Sequence, residues 1–563
     1  MNIAAAAWAG FAPILVIFAL MAGLRWSAAR AMGVGWVLAS ALGLLLWRME
    51  PGWWAAAALL GTLQAMEISV IVFGAMLLMN HLEGSGAIAA IRRHLTRISP
   101  DRRVQLLLIG LGFTTLIEGA AGFGTPGALA APLLLGLGFP PIAAAVFGLF
   151  FNGLQPPLGA VGTPVLGGIG SVVGPGVLSE QIAADGFLRQ VAGWTGSVTG
   201  GLLTIWGLVG VFFLLLWFGR PEERNVTTAW RGTRQVAPFA LLLGAVTGAT
   251  QCLVAWLTGP ELPNIVAGFA ALGVGVLLAR KGVLTPARPW DFAEAGGWPD
   301  GWLGGLDAPR PDGADRGSPM PLWLAWTPYA LVALLLLLTR LPSLGWREAL
   351  RAPTLHVPRL LGQELPYTLR YLYLPGLLPF IPVAVLTGWL HRMDRSSVAA
   401  AWRRAGRQIR PVALTLIVAV SMSQVMIRSA TNPAGQPGMM EALSRALADR
   451  AGGALALVAP WLGALGAFMT GSSTSSNILF AALQHDAAAA VGLSRTLVVA
   501  LQNVGSGVGN MTSVLNIAAV SGVLGLRARE GDLLRRLLVP TAILLALVGL
   551  AGVALTGLVA GVY

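Results

Sequence analysis

Apolar runs on the scale of a bilayer crossing recur along nearly the whole chain. A helical span needs about 20 predominantly apolar residues. Runs of this character, some of them shorter, cover 3–24, 32–46, 53–80, 104–117, 142–154, 193–217, 236–257, 265–278, 322–338, 371–389, 412–426, 452–470 and 537–562. In lipid the backbone must satisfy its own hydrogen bonds, which makes helices of such runs. The sequence therefore predicts an all-α polytopic membrane protein with about 12–14 transmembrane helices. Charge agrees: 11% of residues are charged, against about 25% in soluble domains. The opening run lacks a basic n-region and further spans follow it, so no signal peptide is expected. The single cysteine, Cys252, excludes a disulfide framework and a cysteine metal cluster. No metal site or cofactor is expected.

The net charge of +13 is not spread evenly. Arg92, Arg93, Arg97, Arg102 and Arg103 form one cluster, and Arg403, Arg404, Arg407 and Arg410 another, each beside a long apolar run. That is the positive-inside pattern of cytoplasmic loops. Basic grooves with interleaved aromatics are absent, so the partner is a lipid bilayer and not nucleic acid. Lys281 is the only lysine, a usage that suggests a GC-rich bacterial genome. With the arginine clusters inside, both termini fall outside. The segment 339–370, with Arg340, Arg347, Arg351, Arg359 and Arg370, then lies outside against the rule. A proline-rich polar stretch at 279–321 reads as a loop between two membrane halves, 1–278 and 322–563.

Four places break the apolar character with small and hydroxylated residues. They are Glu118-Gly-Ala-Ala-Gly-Phe-Gly-Thr-Pro126 and Asn152-Gly-Leu-Gln-Pro-Pro-Leu-Gly-Ala-Val-Gly-Thr-Pro164 in the first half. The second half has Thr470-Gly-Ser-Ser-Thr-Ser-Ser-Asn477 and Asn503-Val-Gly-Ser-Gly-Val-Gly-Asn-Met-Thr-Ser513. Gly119 and Gly471 are 352 apart, Gly138 and Gly492 are 354 apart, and Asn152 and Asn503 are 351 apart. A near-constant offset indicates a duplicated unit. Interrupted helices in matching positions of two halves are the sequence mark of a transporter's central site. Freed backbone groups and Ser, Thr and Asn side chains become ligands there, and half-helix N-termini at Gly119 and Gly471 can hold a carboxylate. The competing reading is close helix packing, which suits Gly196 with Gly200 and Gly557 with Gly561.

The substrate-binding candidates are Gly119, Gly122, Phe123, Gly124, Thr125, Asn152, Thr470, Gly471, Ser472, Ser473, Thr474, Ser475, Ser476, Asn477, Asn503 and Asn510. Arg428 joins them as a bidentate carboxylate clamp; its alternative is snorkelling to an interface. Glu118, and more weakly Glu67, are candidates for carrying a proton, because an intramembrane carboxylate is costly without a role. Glu118 could instead be a static acceptor for unwound backbone N–H groups. His485, beside Asp486, reads as loop or hairpin-tip surface. No H-E-x-x-H, G-x-S-x-G or P-loop is present, which argues against an enzyme. A channel, a sodium-coupled carrier of another organic anion and a homo-oligomer stay open at this level.

Several stretches resemble the lactate permease family. They are Ile-Glu-Gly-Ala-Ala-Gly-Phe-Gly at 117–124, Gly-Leu-Gly-Phe-Pro at 136–140, Gly-Pro-Glu-Leu-Pro at 259–263, Ala-Trp-Thr-Pro at 325–328 and Thr-Gly-Ser-Ser-Thr-Ser-Ser-Asn-Ile-Leu-Phe-Ala-Ala-Leu-Gln at 470–484. The resemblance covers about residues 90 to 540. It implies a bacterial inner-membrane symporter of lactate or glycolate with protons, built from two inverted repeats with re-entrant hairpins. Where members of the family often carry Asp in the second hairpin motif this chain has Ser473, and where they often carry Lys in the last break it has Asn510. An acid and a base missing together suggest two positions that face each other.

Overall fold

A computed structural model describes residues 3–24, 26–95, 98–122, 125–173, 181–306, 320–340, 345–374, 376–526 and 529–558. The longer helices are α1 (Ile3–Phe18), α2 (Ala28–Leu45), α3 (Pro51–Gly84), α4 (Ala87–Leu95), α5 (Arg102–Ala120), α6 (Thr125–Gly136), α7 (Pro141–Phe150), α8 (Gln181–Phe218), α9 (Val226–Thr258) and α10 (Pro263–Arg280). They continue with α11 (Leu322–Arg340), α12 (Ile381–Leu390), α13 (Arg395–Arg428), α14 (Met439–Ala451), α15 (Leu455–Thr470), α16 (Ser473–Ala490), α17 (Arg495–Asn510), α18 (Val514–Leu524) and α19 (Glu530–Leu558). Among the described residues, ten helical stretches are long and apolar enough to cross a membrane. Others are too short alone: α6 has 12 residues and α7 has 10, about 18 and 15 Å of helix against a core of about 30 Å.

The short pieces pair into two motifs, each present twice. In the second half α16 returns antiparallel along α15: Gln484 Nε2 donates to Ala459 O at 3.2 Å and Ser476 Oγ to Gly463 O at 2.7 Å. The result is a hairpin whose bend, Gly471 and Ser472, is inside the bundle. Next, α17 stops at Asn510 and α18 resumes at Val514, a helix broken in the middle. In the first half α5 and α6 form the matching hairpin, with Arg102 at its start beside Gly138 just past its end. The broken helix follows as α7, an unwound stretch at 151–163, and a helical segment at 164–173. Gly138 and Gly492, paired by sequence offset, both have positive φ, +88° and +71°, in the turns between hairpin and broken helix. The left-handed partner of Gly471 (φ +69°) is Gly122 (φ +56°) and not Gly119, which is helical.

The 34-residue helices α3 and α13 occupy equivalent places before each hairpin and lie antiparallel. Trp53 Nε1 donates to Arg428 O at 3.1 Å, Asn80 Nδ2 donates to Gln408 Oε1 at 2.8 Å, and Arg404 pairs with Glu83 at 3.0 Å. A Cβ on Gly61 would come within 2.5 Å of Ser421 Cα, so glycine is what lets these helices touch. The Arg404–Glu83 pair also puts the 403–410 arginines at the end of α3 that leads into α4, which carries Arg92 and Arg93.

Three sequence expectations change. The glycines after Asn503 do not unwind the chain, because α17 is continuous to Asn510. A Cβ on Gly505 or Gly509 would overlap α15 backbone at Pro460 or Ala464, so these glycines serve packing. His485 is 3% exposed instead of at the surface, since α16 runs on to Ala490 and Phe187 packs edge-on against the imidazole at 5.4 Å. Within 279–321, residues 290–302 are docked instead of free. Asp101 accepts from Trp290 N at 3.1 Å, Arg102 pairs with Asp291 at 2.8 Å, and Phe292 meets Phe139 at 5.0 Å. Residues 307–319 lie outside the described part. In the segment 339–370, a small hairpin of β1 (Leu355–Val357) and β2 (Tyr367–Leu369) rests on Ala56 and Leu60 of α3.

Candidate functional site

The helix end of hairpin 1, the bend of hairpin 2 and the two helix breaks converge on one cavity. It is lined by Glu118 from hairpin 1, Asn152, Pro156, Ala160 and Pro164 from break 1, Gly471, Ser472, Ser473 and Thr474 from the bend of hairpin 2, and Asn510 at break 2. Each element is there for a local reason. At hairpin 1 the helix ends at Ala120 and the left-handed Gly122 turns the chain. At break 1, Ala160, Val161 and Gly162 all have positive φ, at 43°, 55° and 72°. Left-handed backbone is costly for a β-branched residue, and such strain gathers at functional sites. Two asparagines of the other half hold it in place. Asn477 Nδ2 donates to Pro164 O at 3.0 Å and Asn503 Nδ2 to Pro157 O at 3.0 Å. They are themselves joined at 2.8 Å. Asn503 gives the Pro157 carbonyl of the unwound stretch a donor, and Asn477 ties the start of the following helical segment, at Pro164, to the second half.

At hairpin 2, Ser472 caps α16: its Oγ accepts from Ser475 N at 3.3 Å. The first-turn N–H groups of Ser473 and Thr474 have no intrahelical acceptor, which makes this end of an 18-residue helix a donor surface. Asn510 Nδ2 donates to Ser473 Oγ at 2.8 Å. Ser473 and Asn510, expected from the sequence to face each other, do so as a neutral hydrogen-bonded pair.

Glu118 is 3% exposed, and its Oε2 is buried without a hydrogen-bond partner. A Cβ on Gly159 would overlap its carboxyl group, so break 1 is pressed against Glu118 through a glycine. The same break has two further unpartnered buried oxygens, Asn152 Oδ1 and Gln155 Oε1. No arginine or lysine is among the lining residues. The cavity is small, about 20 Å³, where one water needs about 10–15 Å³. It admits one or two small polar groups.

The other sequence candidates have different places. Gly119 packs on Asn264 and Ile265 of α10. Thr470 bonds back to Gly466 O at 2.8 Å, Ser475 and Ser476 are buried in α16 with Ser476 turned to α15, and Asn477 and Asn503 are buried in the interface between halves. Phe123 and Gly124 lie outside the described residues, as does the side chain of Thr125, which opens α6. Glu67 is on α3 and accepts a hydrogen bond from Tyr367 of β2. Arg428 ends α13, away from the lining residues, with Nε buried and unpartnered. Sequence reasoning passed over Asn516, whose Nδ2 bonds Asn510, and Gln484 and Gln502, joined at 2.5 Å behind the Ser-rich bend. Polar side chains at apolar depth were the available signal.

Two hairpins and two broken helices enclosing a polar pocket in a multi-pass bundle define a membrane transporter of the broken-helix class. Comparison with known proteins narrows the class. The model of the L-lactate permease family matches residues 6–559, and the chain belongs to that family. It is 27% identical to the L-lactate permease of Salmonella typhimurium, covering 93% of this chain and 91% of the relative. It is 28% identical to the glycolate permease GlcA of Escherichia coli K12, covering 96% and 93%. The L-lactate permease of Bacillus subtilis is 27% identical, with 97% and 95% covered. Among solved structures, the YdaH transporter of Alcanivorax borkumensis aligns over 87% of this chain and 85% of its own at 15% identity, with a TM-score of 0.37.

Proposed function

We propose that this protein is a secondary active symporter that takes up a small monocarboxylate, a 2-hydroxy acid of the lactate and glycolate type, together with a proton. The names of its relatives supply the substrate class. The observation that carries the coupling is Glu118, an unpaired buried carboxyl group in the same cavity as the donor surface of α16, with no fixed cation lining the cavity. A substrate carboxylate and an ionised Glu118 would repel strongly at such range in low dielectric. Binding of the anion therefore requires a neutral Glu118, and each substrate arrives with one proton. Ser473, Thr474 and Asn152 are placed to receive the carboxylate and the 2-hydroxyl. A 2-hydroxy acid is larger than this cavity, so a bend or break has to shift to admit it.

A second reading, sodium coupling, is favoured by the three unpartnered oxygens of Glu118, Asn152 and Gln155, since such oxygens suit a hard cation as well as a proton. The antiparallel α3 and α13 support two halves of inverted orientation, and the two arginine clusters at one end support an inner-membrane protein with both termini outside. Arg428 and Glu67, outside the cavity, have no part in this reading. Uptake of L-lactate, D-lactate and glycolate into proteoliposomes under separate pH and sodium gradients tests it. Accumulation that follows the pH gradient is expected, and accumulation that follows sodium alone would move the assignment to the second reading.

A further inference from the structure

One backbone oxygen fixes the direction of a hydrogen-bond chain at the cavity wall. Asn516 lies 3.1 Å from Asn510 O, an atom that can only accept, so the atom facing it is the amide nitrogen Nδ2. The same Nδ2 lies 3.3 Å from the side-chain oxygen of Asn510. Asn510 thus turns its oxygen to Asn516 and its nitrogen to Ser473, whose Oγ accepts at 2.8 Å. A serine hydroxyl has one proton and two lone pairs. With one lone pair engaged by Asn510, the proton is free for a different partner, and Ser473 lines the cavity.

We propose that Asn516 is a positioning residue for substrate binding: through Asn510 it sets Ser473 as a hydrogen-bond donor to the substrate carboxylate. This rests on the reading that the cavity binds a carboxylate. Asn516 is 7% exposed and is not among the cavity-lining residues, so it acts only through its neighbour. The direction matters because Glu118 already supplies an acceptor and an anion needs donors. Without Asn516, the Asn510 amide can turn over and offer its oxygen to Ser473. Ser473 would then spend its proton on Asn510 and present lone pairs to the anion.

The test is a double-mutant cycle on transport kinetics in proteoliposomes, with L-lactate and glycolate as probes. Asn516→Ala is expected to raise KM about tenfold with little change in maximal rate, and to have no further effect on KM when Ser473 is already Ala. Asn516→Ser keeps a donor for the Asn510 carbonyl. Its KM is expected between wild type and Asn516→Ala, and the same cycle can be read on it if Asn516→Ala does not reach the membrane. An equal rise in KM with and without Ser473 would make Asn516 a structural residue and overturn the proposal, as would a wild-type KM for Asn516→Ala. A wild-type KM for Ser473→Ala alone would instead overturn the reading of the cavity beneath it.

Discussion

The two hairpins share one plan and differ at both ends. At the surface end, hairpin 1 is locked. Asp101 and Arg103 are 2% and 1% exposed and pair at 2.7 Å, while Arg103 also donates to Gly232 O at 2.8 Å and Gln235 at 3.0 Å. The docked loop covers them through Trp290, and α10 closes on α5 where Gly268 meets Leu116. Among the described residues hairpin 2 has no such loop over its corresponding end, where Ala489, Ala490, Gly492 and Arg495 are exposed. At the inner end, hairpin 1 contributes a carboxyl group and hairpin 2 contributes hydroxyls and a helix N-terminus. Hairpin 1 is thus an acceptor wall anchored rigidly at its surface end, and hairpin 2 a donor wall whose surface end is more exposed.

The largest effect that would sharpen this contrast is Asp101→Asn. It leaves the Arg103 charge buried without its partner, which costs about 3–5 kcal/mol in comparable buried pairs. A large fall in folded yield and detergent melting temperature is expected. Arg495→Ala at the start of α17, beside the exposed end of hairpin 2, should stay within about 0.5 kcal/mol. Equal losses at both places would break the comparison.

At the inner end, Ser473→Ala removes one donor to an anion. A hydrogen bond to a charged group is worth about 1.5–3 kcal/mol, so KM for lactate should rise at least about tenfold with folded yield unchanged. Ser494→Ala removes only the cap of α17, where Oγ accepts from Leu497 N at 3.4 Å. It should cost about 1 kcal/mol of stability and leave KM alone. The smallest effect concerns local opening. Backbone amides at 487–495 should exchange hydrogen faster than those at 133–141, because exposed, thinly packed ends open first. Slower exchange at 487–495 would reverse the assignment of the rigid wall.

Much of this was legible in the sequence because breaking a helix inside a membrane takes particular residues. The four breaks, their near-constant offset and Glu118 were visible as Gly, Pro, Ser and Asn among apolar runs, and they are the elements that meet at the cavity. Glycine alone was ambiguous. In Gly122 and Gly471 it turns the chain, in Gly505 and Gly509 it admits a neighbouring helix, and the sequence pattern is the same. Arg428 was weighed by its charge, yet its place depends on where the end of α13 meets Trp53, a long-range contact that no local pattern encodes. Asn516 escaped notice because its value lies in the direction of a hydrogen bond. The docked 290–302 loop read as a linker because its anchors, Asp101, Arg102 and Phe139, are 153 to 189 residues earlier in the chain than the groups they hold.

Central to this account is that Glu118 carries the coupled proton. The most direct measurement compares wild type with Glu118→Gln, a neutral side chain of similar size, in sodium-free proteoliposomes with an acidic exterior. Wild type should accumulate lactate above the external concentration. Glu118→Gln should lose that accumulation while still exchanging internal labelled lactate for external lactate, since its cavity is permanently neutral and open to the anion. Uphill accumulation by Glu118→Gln at the wild-type level would contradict the account.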